Sequence, residues 1–295
     1  MERRGDSNKI TRDYLDSLLI ETRYIGSNLP DTAMTLFGEK FDTPIMLSAF
    51  SHLDKFYGCP EGMKDTAVGA KMANAVSWSG MGSTEEIKSM IDTGARVIKI
   101  IKPYADESLI FQQIEEVERF GGMAVGIDVD HSFTSNGRYD VLFGDEMRGK
   151  TVEDIRRYAS STKLPFIIKG VLSVYDALAA YEAGCQGIVV SHHHGITNFA
   201  VPPLKVLPKI VEAVGGKMAI FADCSMDSGF DAFKALALGA TGVCASRAIL
   251  EDLQREGANG VYKRIMAMTN ELRGCMARTG IKDLASMDSS VIWQL

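Results

Sequence analysis

The chain has 295 residues, long enough for one large α/β barrel or for two ordinary domains. Apolar residues make up 46% of it and charged residues 24%, values typical of folded globular proteins, so wholesale disorder is excluded. The formal net charge of −6 argues against a nucleic-acid partner or an anionic membrane surface, and no apolar run is long enough to span a bilayer. We therefore expect a cytoplasmic protein whose ligand is a small molecule.

Short apolar segments recur along the chain, each followed by a polar or glycine-containing turn and then by a stretch with helical periodicity. Buried parallel strands read as near-continuous apolar runs, and a spacing of roughly 20 to 40 residues suits strand–helix units. The strands predicted in this way cover residues 44–49, 75–79, 97–101, 124–128, 165–169, 187–191, 219–223 and 242–246.

Helices are predicted between the strands from their capping residues. The segment 83–94 begins with Ser83 and the segment 173–184 with Ser173, a residue type that caps helix N-termini, and the second segment ends at Gly184. Two further helices are predicted over residues 231–240 and 257–278.

Eight strand–helix units in a chain of this length predict an α/β fold, a (β/α)8 TIM barrel. A doubly wound open sheet is the competing architecture, but it usually has fewer strands, and no GxGxxG motif follows the first strand. We expect one barrel domain over residues 1–295, with an N-terminal extension over about 1–40 and a C-terminal helical tail over about 257–295.

All five histidines follow predicted strand ends. In such barrels the catalytic groups lie at the carboxyl ends of the strands and in the loops that follow them. The histidines therefore predict an active site at that end of the barrel. They are His52, His131, His192, His193 and His194.

Charged residues end the same strands. A charge that points into a packed barrel is costly unless it is paired or functional. Arg247 follows the eighth strand just before a predicted helix, where barrels commonly bind a phosphate. The other charged residues at strand ends are Asp128, Asp130, Lys169 and Asp223.

A family resemblance is carried by PFIIKGVLSVYDALAAYEAGCQGIVVSHHHG (165–195), followed by LPKIVEAVGGKMAIFADC and FDAFKALALGATGVCASRAIL. Together these segments resemble the FMN-dependent 2-hydroxy acid oxidases and dehydrogenases. The resemblance is nearly continuous from about residue 165 to 280 and weaker from about 40 to 135. It implies a flavoprotein that binds FMN, oxidises a CH–OH group and assembles as a homo-oligomer of four or more subunits.

The resemblance also implies roles for the residues at the strand ends. His193 would take the hydroxyl proton of the substrate as hydride passes to the flavin, Asp130 would orient His193, and Lys169 would stabilise the reduced flavin. The cofactor contacts implied are Ser48, Ser77, Lys99, Asp128, Lys169, Ser191, Asp223, Ser225, Ser246 and Arg247. The substrate contacts expected are Ile101, Arg138 and His194.

The sequence departs from the family pattern where the substrate carboxylate is bound. Ile196 replaces the arginine that clamps it, Ile101 replaces a tyrosine, and Lys99 replaces a glutamine that contacts the flavin. Asp227 stands where a phosphate-binding arginine is expected. A bidentate arginine–carboxylate contact is strong and geometrically fixed, so isoleucine cannot replace it. We therefore expect oxidation of a hydroxyl compound other than a simple 2-hydroxy acid.

Two alternatives stay open. The first is a flavin-free barrel that acts as a lyase, an isomerase or a metal-dependent enzyme, because the IDVDH and HHH segments offer oxygen and nitrogen ligands. Three consecutive histidines point in different directions, which argues against a metal site. The second is a non-catalytic binding barrel, which has little need of a histidine–aspartate pair.

Overall fold

Eight parallel strands form a barrel in the computed structural model, which describes residues 4–295. The barrel strands are numbered β1 to β8 and are Ile45–Leu47, Val76–Ser79, Arg96–Ile101, Ala124–Asp128, Phe166–Val171, Gly187–Val190, Ala219–Ala222 and Gly242–Ala245. The helices are numbered α1 to α10 and are Ser7–Ser17, Leu53–Tyr57, Gly62–Met72, Thr84–Asp92, Glu107–Phe120, Val152–Ser160, Val174–Glu182, Pro203–Val214, Gly229–Ala237 and Leu250–Arg278.

The strands follow one another around the barrel. Neighbours pair in parallel from β2 through β8, and β8 pairs with β1. A bridge between Phe50 and Ser79 brings the ends of β1 and β2 together, so the sheet is nearly closed. The predicted (β/α)8 fold is confirmed, and all eight predicted strands are present with ends that differ by at most two residues.

Serine caps position the helices as predicted. The Ser83 side chain accepts a hydrogen bond from the backbone N–H of Glu86 at the start of α4, and Ser173 accepts one from Asp176 at the start of α7. Gly184 follows α7 with a φ of +87°, a conformation that glycine adopts without strain.

Two predicted helices begin earlier than expected. α9 begins at Gly229 rather than at residue 231, because the Ser228 hydroxyl caps it. α10 begins at Leu250, and the predicted tail helix 257–278 is its second part, which follows a break at Gly257 (φ 55°, ψ −136°).

Apolar side chains fill the barrel interior. Side chains alternate between the two faces of a strand, so every second residue points inward. A short hairpin of Met34–Leu36 and Glu39–Phe41 adds three apolar side chains to the same cluster. The inward-pointing apolar residues of the strands are Met46, Val76, Trp78, Ile98, Ile100, Ala124, Ile167, Val189, Phe221 and Cys244.

The inward positions nearest the carboxyl ends of the strands are polar. Lys102 lies two residues beyond Ile100, and Lys169 lies two residues beyond Ile167, so both continue the inward face. This layer forms the floor of the open end of the barrel. Its members are Ser48, Lys102, Asp128, Lys169, Ser191, Asp223 and Ser246.

The N-terminal extension packs onto the barrel at two places. α1 lies against the loops that follow β6 and β7, through hydrogen bonds described below. After α1, the strand Leu18–Ile20 pairs antiparallel with Ile292–Gln294 near the C-terminus. Over residues 4–295, no helix combines the length and apolar composition that a bilayer crossing requires, and all five cysteines are buried and free.

Close approach of two strands makes Gly126 of β4 intolerant of a side chain. A Cβ at residue 126 would overlap the carbonyl oxygen of Ile167 in β5, whereas a Cβ at Gly187 would lie 3.3 Å from a ring carbon of Phe221. We predict that Gly126→Ala lowers the free energy of unfolding by about 3 kcal/mol, and Gly187→Ala by less than about 1 kcal/mol. Chemical denaturation of both variants measures the difference, and equal losses would contradict the packing described.

Candidate active site

A cavity of about 270 Å³ opens at the carboxyl ends of the strands. The polar layer supplies its floor, and loops that follow β1, β6, β7 and β8 form its walls together with α1. Lys169, His193, Ser225, Ser246 and Arg247 are among the residues that line it, together with Asn8 of α1.

Buried charges of both signs meet beneath the cavity. The Asp128 carboxylate accepts a hydrogen bond from Lys102 Nζ at 2.7 Å, and its other oxygen lies 3.7 Å from Lys169 Nζ. Lys169 Nζ is also 3.9 Å from Asp223 Oδ2. Burial alone would lower the pKa of Lys169, but Asp128, Asp130 and Asp223 outweigh it and raise that pKa, so Lys169 stays charged.

Two carboxylates share one nitrogen of His193. His193 Nδ1 lies 2.7 Å from Asp130 Oδ1 and 3.2 Å from Asp128 Oδ2, which leaves Nε2 available for a ligand. Gly170 makes this arrangement possible, because a β-bulge with a φ of +93° brings its backbone so close to Asp130 that a Cβ there would lie 2.5 Å from the carboxylate carbon.

The shared carboxylates set the charge of the imidazole. Burial and Lys169 lower the pKa of His193, but Asp128 and Asp130 outweigh them and raise it above its ordinary value of 6.5. Burial and the charge of Asp128 also raise the pKa of Asp130. Burial acts in the same direction on Asp128, yet Lys169, His193 and Lys102 hold its pKa well below the usual range.

The other histidines have different environments. His131 packs edge-on against His193 at 4.3 Å between ring centroids, and burial together with Lys102 lowers the pKa of His131 to about 4. His52 packs edge-on against Phe143, with 4.9 Å between the ring centroids, and does not line the cavity. His192 Nδ1 accepts the N–H of Gly195, so its Nε2–H donates to Thr11 of α1 at 2.8 Å.

Ser48 and Asp223 line the cavity, and Ser191 lies beside them. Ser48 Oγ donates to Asp223 Oδ1 at 3.2 Å, and Ser191 Oγ donates to Asp223 Oδ2 at 3.1 Å. Cys224 and Ser225 follow with φ values of 72° and 56°, a left-handed backbone that turns the loop over the cavity. This region therefore carries hydroxyl and carboxylate groups at short range.

Ser77, Lys99 and Ile101 do not reach the cavity, which corrects the expectation that they contact the cofactor or the substrate. They occupy the outward face of β2 and β3, because Trp78, Ile98 and Ile100 take the inward face. Lys99 lies instead in a cleft between α4 and α5, where its Nζ donates to the carbonyl of Gly80 and burial lowers its pKa to about 8.

Neither Arg138 nor Ile196 adds a positive charge to the cavity. Arg138 is exposed in the loop after β4 and does not line the cavity. Ile196 lies in the turn after β6, and Phe199 of the same segment packs its ring against Gly5. Asp227 lies outside the cavity, with one carboxylate oxygen 3.9 Å from Arg12 Nη1.

Some residues near the site were not found from the sequence. Lys102 is buried against Asp128, and Asn8, Thr11 and Arg12 of α1 contact the loops around the cavity. Positions 8, 11 and 12 fall on one face of a helix, and this spacing is the signal that could have revealed a polar docking face.

Asp128, Asp130 and His193 also form the one group of metal-ligand atoms found among residues 4–295, with all three atoms within 4.8 Å of one another. Lys102 and Lys169 already neutralise Asp128 from two sides. A divalent cation there would have to be held beside two ammonium groups, so the geometry favours proton chemistry over metal binding.

The sequence matches the family profile described as FMN-dependent dehydrogenase over residues 3–150 and 142–294. The chain belongs to this family. FMN is therefore its cofactor, and it is an oxidoreductase that acts on CH–OH groups. The flavin-free alternative is excluded by this membership.

Characterised relatives extend over most of the chain. Glycolate oxidase from Spinacia oleracea is 27% identical over 89% of this chain and 80% of its own length. 2-Hydroxyacid oxidase 2 from Homo sapiens is 28% identical over 98% of this chain and 91% of its own. A solved mandelate oxidase variant with (S)-mandelic acid superposes with a TM-score of 0.88 at 26% identity, covering 99% of this chain and 90% of that one.

The residues around the cavity fit FMN. The cavity lining includes a buried cation, Lys169, an exposed cation, Arg247, and the hydroxyl and carboxylate groups of Ser48, Asp223, Ser225 and Ser246. Asp128 Oδ1 is buried without a hydrogen-bond partner among the described residues, so it can accept one from a ligand. Cations, hydroxyl groups and carboxylates are the kinds of group that can bind the ring system, the polyol and the phosphate of FMN.

The two carboxylates on His193 Nδ1 predict a distinctive titration. In an NMR titration of the histidines, we expect His193 to titrate above 6.5 and His131 near 4. Asp128→Asn removes one carboxylate from Nδ1 and should lower the midpoint of His193. Asp140→Asn is the control, because Asp140 contacts the ring of His131 and not that of His193. An unchanged midpoint in Asp128→Asn would contradict the shared contact.

Proposed function

We propose that this protein oxidises the CH–OH group of a neutral hydroxyl compound, with His193 as the base that takes the hydroxyl proton. The observation that carries the proposal is the Asp130–His193 pair, whose free Nε2 is available at the cavity beside Lys169. An imidazole held by a carboxylate on one nitrogen and open on the other is arranged for general-base catalysis.

The proposal assigns the cavity groups to parts of FMN. Lys169 would lie at the pyrimidine side of the ring, Asp223 with Ser48 and Ser191 at the polyol, and Arg247 with Ser246 and Ser225 at the phosphate. The assignment is supported by the presence of two cations and several hydroxyl groups among the residues that line the cavity.

The residues move the proton and balance the charge. His193 Nε2 accepts the hydroxyl proton while Asp130 and Asp128 stabilise the imidazolium that forms. When bound, FMN supplies the acceptor for the hydride, so the substrate loses one proton and one hydride and becomes a carbonyl compound. The fixed charge of Lys169 offsets the negative charge that accumulates near it.

The charges around the cavity support a neutral substrate. Among the described residues that line it, the lysine and arginine side chains are Lys169 and Arg247. Lys169 already faces Asp128 and Asp223, and Arg247 is assigned to the phosphate. Ile196 occupies the position from which relatives hold a substrate carboxylate, so a carboxylate would be desolvated without a partner.

A cytoplasmic location and assembly into a tetramer or larger homo-oligomer stay predictions from the sequence, as does the organisation of the chain as one domain. Gel filtration with light scattering tests the assembly.

Replacing the base should abolish turnover while FMN stays bound. His193 and His52 both have a left-handed backbone, with φ values of 47° and 53°, which asparagine tolerates. We expect His193→Asn to slow anaerobic flavin reduction by at least about 100-fold, the scale of general-base catalysis, and His52→Asn to change it by less than about threefold. Absorbance spectra verify that both variants retain flavin. Rapid reduction of His193→Asn would refute the proposed base.

An acid and its amide of the same shape test the substrate class. A mandelate oxidase variant has been solved with 2-hydroxy-phenylacetamide, the neutral counterpart of mandelic acid. We expect the wild-type protein to have a higher kcat/KM for the amide than for the acid. Ile196→Arg should reverse this preference by adding a cation, and Ile196→Met, which changes shape without charge, should not. A wild-type preference for the acid would overturn the proposal of a neutral substrate but not the role of His193 as the base.

A further inference from the structure

We propose that α1 completes the phosphate end of the FMN site through Asn8 and His194, which hold Arg247 in position. The inference rests on the proposed function, because that assigns Arg247 to the phosphate. Asn8 and His194 are positioning residues here, since they act through the guanidinium of Arg247.

Three side chains form a continuous series at the rim of the cavity. Asn8 Oδ1 lies 2.7 Å from His194 Nδ1, and His194 Nε2 lies 3.2 Å from Arg247 Nη1. Asn8 Nδ2 donates to the backbone carbonyl of His194 at 3.0 Å, which fixes the orientation of the amide. All three residues line the same cavity.

The hydrogen bonds determine the tautomer of His194. The amide oxygen of Asn8 can only accept, so Nδ1 of His194 carries the hydrogen. Nε2 then has a lone pair, which accepts a hydrogen bond from Arg247. Burial and the charge of Arg247 lower the pKa of His194, consistent with a neutral ring. A neutral acceptor orients the guanidinium without consuming its positive charge.

α1 is fixed on both sides of Asn8. Ser7 Oγ donates to the carbonyl of Thr197 at 2.5 Å, and Thr11 accepts the hydrogen bond from His192 at 2.8 Å. Arg12 forms an ion pair with the buried Asp231 at 2.8 Å. These contacts hold Asn8 over the turn that contains His194, so the amide is a rigid point of attachment.

The arrangement compensates for a weak phosphate site. Arg247 is exposed, and a long exposed side chain loses rotamer entropy when it is immobilised on a ligand. Asp227, in the same region, adds negative charge that faces Arg12 at 3.9 Å and also acts on Arg247. Because His194 already orients Arg247, this side chain loses less entropy when it binds the phosphate. Its full positive charge stays available to the ligand.

A comparison of FMN with riboflavin, which lacks the phosphate, distinguishes an effect on phosphate binding from a general effect on the cavity. Both ligands are titrated into flavin-free protein and followed by quenching of flavin fluorescence. The variants are Asn8→Ala, His194→Gly, Arg247→Met and the double variant Asn8→Ala/Arg247→Met. His194→Gly suits the backbone, because φ at residue 194 is 56°. Asn28→Ala is the matched control, since the Asn28 amide donates to the nearby Gly26 carbonyl and to no other group among residues 4–295.

We expect Asn8→Ala and His194→Gly each to weaken FMN binding on the order of tenfold, the effect of losing one hydrogen bond that orients a charged group, and to leave riboflavin binding unchanged. In the Arg247→Met background, Asn8→Ala should have no further effect. Asn28→Ala should match the wild type throughout.

Three results would overturn the inference: equal weakening of FMN and riboflavin, an additive effect of Asn8→Ala on Arg247→Met, or no effect of Asn8→Ala on FMN. None of them contradicts the proposed function, because the wild-type protein still binds FMN in each case. Failure of the wild-type protein to bind FMN would overturn both.

Discussion

The Asp128 carboxylate lies between two ammonium groups, 2.7 Å from Lys102 Nζ and 3.7 Å from Lys169 Nζ. Burying three charges at the open end of a barrel is tolerable only when each has partners of opposite sign. The same carboxylate also contacts His193 Nδ1, so the charge balance of the floor and the proton affinity of the base depend on one side chain. The remainder of the site is arranged around this shared carboxylate.

The histidines have different roles because their imidazole rings have different hydrogen-bond and ion-pair partners. His193 contacts two carboxylates and has a raised pKa, which suits a group that takes a proton and holds it. His131 lies against His193 without a comparable carboxylate, and its pKa is about 4. His194 lies between Asn8 and Arg247 as a neutral ring that accepts a hydrogen bond from the guanidinium.

The proposed function keeps the reaction of the family and changes the charge of its substrate. It uses His193 as the base and Lys169 as the fixed positive charge, two side chains that line the same cavity. It takes Ile196 as the replacement of a carboxylate-binding arginine and assigns the phosphate to Arg247, whose Nη1 lies 3.2 Å from His194 Nε2. Substrate charge and cofactor affinity can change separately in this way, because different loops of the barrel carry them.

The sequence by itself determined the eight strands and the polar residues at their ends, because buried strands are apolar and barrel chemistry lies at their carboxyl ends. It did not determine the face on which Lys99 lies, since a shift of one residue moves a side chain from the inside of a barrel to the outside. Only the tertiary structure set that register, paired Lys102 with Asp128, and brought Asn8 to His194 across 186 positions of the chain. Contacts between such distant residues depend on how the helices and loops pack, which no local pattern encodes.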